Sequence, residues 1–141
     1  RYWQAIAWYR WLPLVFDEDF AMVVSLISRD GVDARSGGMV LHGDEYHEIR
    51  EVSIETTWDD DWYQTGLVAT VTTDDRTYEV TGDVTSLIPL RNRRTTPDGD
   101  ELLTRITEGL TRFTCNGRVG WGLSEYLDQI VDGLPVGLES T

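Results

Sequence analysis

Runs of roughly 8–12 residues rich in Val, Ile, Thr, Tyr and Trp alternate with short polar turns along almost the whole chain, the pattern of a meandering antiparallel sheet. Helical periodicity is missing almost everywhere. Eight strands are predicted. They are Tyr2–Leu12, ended by Pro13; Phe20–Ser28, ended by Arg29-Asp30-Gly31; Gly38–His42, turning at Gly43-Asp44; and Glu48–Trp58, ended by Asp59-Asp60-Asp61. Gly66–Thr73, Thr77–Leu90, Leu102–Cys115 and Arg118–Leu127 follow, with a polar loop over Arg91–Asp100. The tail Asp128–Thr141 is rich in Gly and Pro and reads as irregular. Eight consecutive strands joined mostly by short turns imply an all-β fold, an antiparallel up-and-down barrel or a strongly curved sheet of about eight strands. Closure removes the edges that an open sheet would expose. An immunoglobulin-type sandwich fits less well, since it wants a Cys pair or Greek-key returns.

Asn116-Gly117 is the strongest hairpin signal, because a type I′ turn needs positive φ at both central residues. A two-residue turn there sets Cys115 opposite Arg118. Arg112 then opposes Trp121, Leu110 opposes Leu123, Glu108 opposes Glu125, and Ile106 opposes Leu127. The other face holds Gly109, Thr111, Phe113, Gly120, Gly122 and Ser124. The first set is apolar enough to be expected inside the barrel, yet it carries two opposed carboxyls. Such a pair shares a proton, with one pKa raised, or recruits a cation. Arg112 on the same face and Arg10 from across the barrel are the candidate cations. Glu108 and Glu125 are therefore the candidate general acid and base. Two other readings stay open: an ion-pair network that only fixes register, and ligand anchoring without chemistry. Gly120 and Gly122 are expected to let the last strand coil or another element pack closely.

The first two strands are apolar on both faces. Phe20–Ile27 has hardly a polar position, and Tyr2–Leu12 carries large residues on each side. Such strands need cover outside as well as inside. The chain also starts without Met, in what reads as the middle of structure. A single β-barrel domain over residues 1–141 is expected, the C-terminal half of a longer protein whose other half is β-rich.

The length of 141 residues suffices for one core without disulfides or a structural metal. A net charge of −13 disfavours nucleic-acid phosphate or an anionic membrane surface as partner. No apolar run is long enough for a transmembrane helix. All 12 basic residues are Arg, which excludes Schiff-base and P-loop lysine chemistry. The single Cys115 gives neither an internal disulfide nor a zinc set, and the compartment is read as cytoplasmic. His42 and His47 flank a turn with no metal-ligand spacing, and Asp59-Asp60-Asp61 lacks the rest of a calcium loop. No metal or cofactor is called for. The six Trp exceed what a core this small needs. Trp3, Trp11, Trp58 and Trp121, with Arg10 and Arg112, are the candidate ligand contacts of a pocket for an apolar molecule.

The opening stretch Arg1-Tyr2-Trp3-Gln4-Ala5-Ile6-Ala7-Trp8-Tyr9-Arg10-Trp11 resembles the strand that opens the C-terminal half of bacterial lipocalin-like proteins. Those proteins are distantly similar to carotenoid 1,2-hydratase (hydroxyneurosporene synthase) and the AttH-like proteins. Thr104–Phe113 and Gly117–Leu127, with the ending Gly120-Trp121-Gly122-Leu123-Ser124-Glu125-Tyr126, resemble their terminal hairpin. The resemblance implies two tandem lipocalin-like barrels, this chain being the second. It further implies binding of an isoprenoid-, steroid- or polyketide-like molecule. Members named for chemistry add water to an isoprenoid double bond or steer a cyclisation without cofactor. The expected function is binding of an apolar small molecule. The alternatives are a cofactor-independent hydratase or isomerase with a carboxylate proton donor, and a structural module that docks a partner domain.

Overall fold

The computed structural model describes residues 6–138. They form nine strands: β1 (Trp8–Asp17), β2 (Phe20–Ser28), β3 (Ala34–His42), β4 (Glu45–Trp58), β5 (Gln64–Thr73), β6 (Thr77–Thr95), β7 (Glu101–Cys115), β8 (Arg118–Val131) and the short β9 (Leu134–Pro135). Each strand pairs antiparallel with the next in sequence, and β1 also pairs with β8. The first eight therefore close into an up-and-down barrel of lipocalin-like architecture, and β9 folds back on the end of β8.

Alternation decides what faces inward. In β1, Trp8, Arg10, Leu12 and Leu14 are buried, whereas Tyr9, Trp11, Pro13 and Val15 point out. In β2 the buried set is Phe20, Met22, Val24, Leu26 and Ser28. The apolar members of both sets join Val40, Ile54, Ala69, Val71, Val80, Phe113 and Tyr126 in one core.

Pro13 does not end the first strand. It stays paired with Val23 of β2, and the strand runs on to Asp17. Its missing N–H falls where pairing with β8 is interrupted, between the Trp11–Glu125 and Leu14–Gly122 pairs. Strands β6 and β7 run on through most of the expected polar loop as far as the Thr95–Glu101 pair, forming a hairpin arm whose β6 part is exposed. A bulge between Val84 and Ser86 precedes that arm.

The two ends of the barrel differ. One end carries the tight turns at Glu18-Asp19, Gly43-Asp44, Asp74–Arg76 and Asn116-Gly117. It is plugged by Phe16 stacked on Phe20 at 4.8 Å and by His42, whose Nδ1 lies 2.7 Å from the Tyr78 hydroxyl. The other end carries the longer connections over 29–33, 59–63 and 96–100, and the tail after Val131.

Candidate functional site

The Asn116-Gly117 turn forms with φ of 53° and 78°. Register follows as counted, with Arg112 opposite Trp121, Leu110 opposite Leu123, Glu108 opposite Glu125 and Ile106 opposite Leu127. The facing is the reverse of the expectation. Glu108, Glu125, Arg112 and Trp121 sit on the outer face, where Leu110 is 45% and Trp121 49% exposed. Thr107, Gly109, Thr111, Phe113, Gly120, Ser124 and Tyr126 point inward. The closing seam is the reason. A Cβ on Gly122 would lie 2.0 Å from the Pro13 carbonyl oxygen, and one on Gly120 2.4 Å from that of Val15. β1 passes too close for side chains there, so the bulky residues of β8 go outside.

Following register across the outer face gives a broad apolar belt. One row reads Leu90, Ile106, Leu127, Tyr9 and Ile27. A second, four residues further along, reads Leu110, Leu123, Pro13, Val23 and Met39. Between them run Ile88, Glu108, Glu125, Trp11 and Ser25. The two carboxyls thus lie within apolar surroundings, next to Trp11. Tyr9 donates its phenolic hydrogen to Glu125 Oε2. Glu108 Oε1 is buried without a hydrogen-bond partner. Burial first, and then Glu125, push the Glu108 carboxyl up to about 7. Burial and the bond to Glu125 likewise raise the Tyr9 phenol. At neutral pH the cluster therefore holds, in Glu108, a carboxyl that titrates, and in Tyr9 a phenol that keeps its proton. It borders a groove of about 210 Å³ lined by Tyr9, Trp11, Ser25, Ile27 and Glu125.

Inside the open end is a second polar cluster. Arg10, fully buried, meets Asp128 in a two-pronged ion pair, Nη1 to Oδ2 at 3.0 Å and Nη2 to Oδ1 at 3.1 Å. Its guanidinium lies over Tyr126 at 4.2 Å, Trp8 at 5.0 Å and Trp58 at 5.7 Å. Tyr126 OH pairs with Thr56 Oγ1 at 2.7 Å. The cluster also captures the tail: Arg10 Nη2 donates to the Gly137 carbonyl at 2.7 Å, and the Gly137 amide donates to Asp128 Oδ1 at 2.9 Å. Burial pushes the Asp128 carboxyl up against the lowering effect of Arg10.

Beside this cluster opens a cavity of about 700 Å³, between the 31–34 segment and the tail. Trp8, Leu26 and Val52 contribute from the core, Ala34, Val136 and Leu138 from the rim, and Asp33 and Glu51 are its acidic members. Of the expected ligand contacts, Arg10 and Trp58 are inside at this end, and Trp11, Arg112 and Trp121 are on the outer face. Trp3 lies outside the described residues. Trp8, Asp128, Gly137 and Arg105 were not among the expected site residues. Trp8 shares the parity of Arg10 in the strand, a signal that was available, whereas nothing periodic marks Gly137.

Other motifs are structural. Asp59 Oδ1 accepts from the amides of Asp61 and Tyr63 and shapes their turn. Burial raises the Cys115 thiol, which suits a core residue better than a nucleophile. No group of three or more His, Cys, Asp or Glu among the described residues is placed to hold a metal ion. No helix of the described residues is long and apolar enough to cross a membrane.

Residues 1–130 match the family described as a domain of unknown function, DUF7064, and the chain belongs to that family. Neither a curated protein nor a solved structure matches it.

Proposed function

We propose that the barrel binds an apolar small molecule of the isoprenoid, steroid or polyketide kind in the cavity at its open end. The observation that carries this reading is the roughly 700 Å³ space with the apolar side chains of Trp8, Leu26 and Val52 at its floor, under a rim whose exposed surface is more polar than apolar. That volume lies within the range of small-molecule pockets. The resemblance to carotenoid 1,2-hydratase-like proteins points the same way. Native mass spectrometry of the protein as expressed, and titration of farnesol followed by tryptophan fluorescence, test it. Extra mass or saturable farnesol binding, lost when Ala34→Trp fills the rim, supports the reading. No retained mass and no saturable binding of farnesol or a sterol removes it.

A second reading rests on the outer belt. An apolar surface this broad is characteristic of a face that docks another element, and the tandem-barrel arrangement would supply a second β-rich domain to cover it. Glu108 would then lie at the junction as a proton donor for hydration or isomerisation of an isoprenoid double bond. Turnover that survives Glu108→Gln removes the catalytic part of this reading.

A further inference from the structure

Two arginines point into the open end of the barrel, and the described residues give them one inward carboxylate. Asp128 faces Arg105 directly across the β7–β8 ladder. Its oxygens are nevertheless occupied by Arg10 and the Gly137 amide. Arg105 is 6% exposed and has no carboxylate within ion-pair distance among the described residues. It meets neutral groups instead. Nη1 donates to the Asp61 carbonyl at 3.2 Å, Nη2 donates to the Trp62 carbonyl, and the guanidinium lies 4.4 Å over the Tyr63 ring. The loop is shaped for this, since Trp62 has a φ of 63°, a conformation seldom adopted by a side chain of its size. Burial lowers the pKa of this guanidinium, so the carbonyls, the Tyr63 ring and the attraction of Asp128 and Asp59 offset its desolvation only in part.

The surroundings add positive charge. Arg91 pairs with Arg105 across the β6–β7 ladder, and its Nη2 donates to Tyr63 OH at 2.9 Å. Four of the chain's 12 arginines, at positions 91, 93, 94 and 105, fall in this one arm against three acidic residues, Asp98, Asp100 and Glu101, the last of which pairs with Arg93 at 3.4 Å. Arg91, Arg105 and Tyr63 border a cavity of about 430 Å³, with Leu103 and Ile130 as apolar members and Asp61 as the acidic one. It is separate from the larger cavity, Gly133 of the tail belonging to the first and Leu134–Leu138 to the second.

We infer that Arg105 and Arg91 form a binding site for the carboxylate group of a small ligand, with Leu103 and Ile130 taking the adjoining carbon skeleton. A planar carboxylate suits the guanidinium fork. The nearby Asp61 favours a single negative charge over a phosphate dianion. The site shares no lining residue with the larger cavity, so either assignment can stand without the other.

The test is titration of the full chain with sodium benzoate, and separately with inorganic phosphate, watching the arginine Nε–Hε signals by NMR. Benzoate is expected to shift the Arg105 and Arg91 signals saturably and more weakly at high salt. Arg91→Gln, a change at an exposed position, is expected to weaken binding roughly ten-fold or more, since a charge-assisted hydrogen bond contributes at least that factor. Arg112→Gln, on the outer face, is expected to leave it unchanged. Absence of saturation, equal binding by Arg91→Gln, or binding of phosphate but not benzoate would overturn the assignment.

Discussion

Asp128→Ala should unfold the protein far more readily than an average core truncation. The Arg10–Asp128 pair has side-chain exposures of 0% and 2%, and both Asp128 oxygens are engaged at 2.9–3.1 Å. Removing one partner of a buried pair costs about 3–5 kcal/mol, because the other charge stays buried. The aromatic faces of Tyr126, Trp8 and Trp58 still contact the guanidinium, and desolvated cation–π contact is itself favourable by about 2 kcal/mol. That places the cost near the low end, at roughly 3 kcal/mol. With a urea slope of roughly 2 kcal/mol per molar, the unfolding midpoint should fall by about 1.5 M. The double variant Arg10→Met with Asp128→Leu should recover most of the loss, since apolar replacement of a whole buried pair is often neutral. Tryptophan-monitored urea unfolding of the wild type, Arg10→Met, Asp128→Leu and the double variant closes the cycle, with Asp128→Ala measured beside it. A loss below about 1 kcal/mol for Asp128→Ala, or a double variant as unstable as the sum of the two singles, would refute the reasoning.

Three other outcomes follow from the geometry. Glu108 holds its proton up to about pH 7 when folded, against an ordinary value of 4.5. Between those values the folded state binds more protons than the unfolded one, so stability falls as pH rises through that window and levels off above it. Glu108→Gln should flatten that slope in melting temperatures taken from pH 4.5 to 8 and should exceed the wild type at the upper end. Gly122→Ala should cost about 3 kcal/mol or more in urea unfolding, because its methyl would meet the backbone of Pro13 and Leu14, which cannot rotate away. Val15→Lys with Val23→Lys, at outer positions 58% and 40% exposed, should cut binding of an apolar fluorescent dye and leave the melting temperature within about 2 °C.

The eight barrel strands, their order and most boundaries were legible because turn chemistry is local, whereas the tail read as irregular continues β8 to Val131 and adds the short β9. Asn116-Gly117 fixes a register through its own backbone angles, and every pair counted from it is present. Facing was not legible by the same means. A strand reading Gly120-Trp121-Gly122-Leu123-Ser124 invites the large residues inside, and only the approach of β1 to Gly120 and Gly122 rules that out. This approach is a property of closure, made by residues about 100 positions away. Pro13 misled for a related reason, since its harmless place opposite a gap in the β8 ladder depends on which strand lies beside it. The apolar outer face of the first two strands was anticipated, whereas its spread across β3, β7 and β8 emerges only when the rows are joined. The Arg10–Asp128–Gly137 contact joins β1, β8 and the tail, and no periodicity in the sequence connects them.

The distribution of polar groups inside the barrel says which end is used. Hydrophobic burial alone would fill a barrel of this size from end to end, as it does at the tight-turn end with Phe16, Phe20, Tyr78 and Phe113. At the open end the buried set includes Arg10, Gln64, Arg105, Thr107 and Asp128 instead. Each carries a desolvation cost that an aliphatic side chain would avoid. Internal partners offset that cost for Gln64, which donates to the Ser124 carbonyl and accepts from Thr107, and for Arg10 with Asp128. Arg105 is offset least. Arg105 lines the smaller cavity of the open end, Trp8 and Gly137, which contact Arg10, line the larger one, and both cavities share the tail as a wall. A tail held by the two Gly137 hydrogen bonds to the Arg10–Asp128 pair and a short ladder is the segment of that wall with the fewest strand partners, so its brief release is the cheapest way to admit a ligand, which then packs against the closed tail. Protection of the Gly137 amide from hydrogen exchange should therefore rise when either cavity is filled. Unchanged protection at saturating ligand would place entry elsewhere on the barrel.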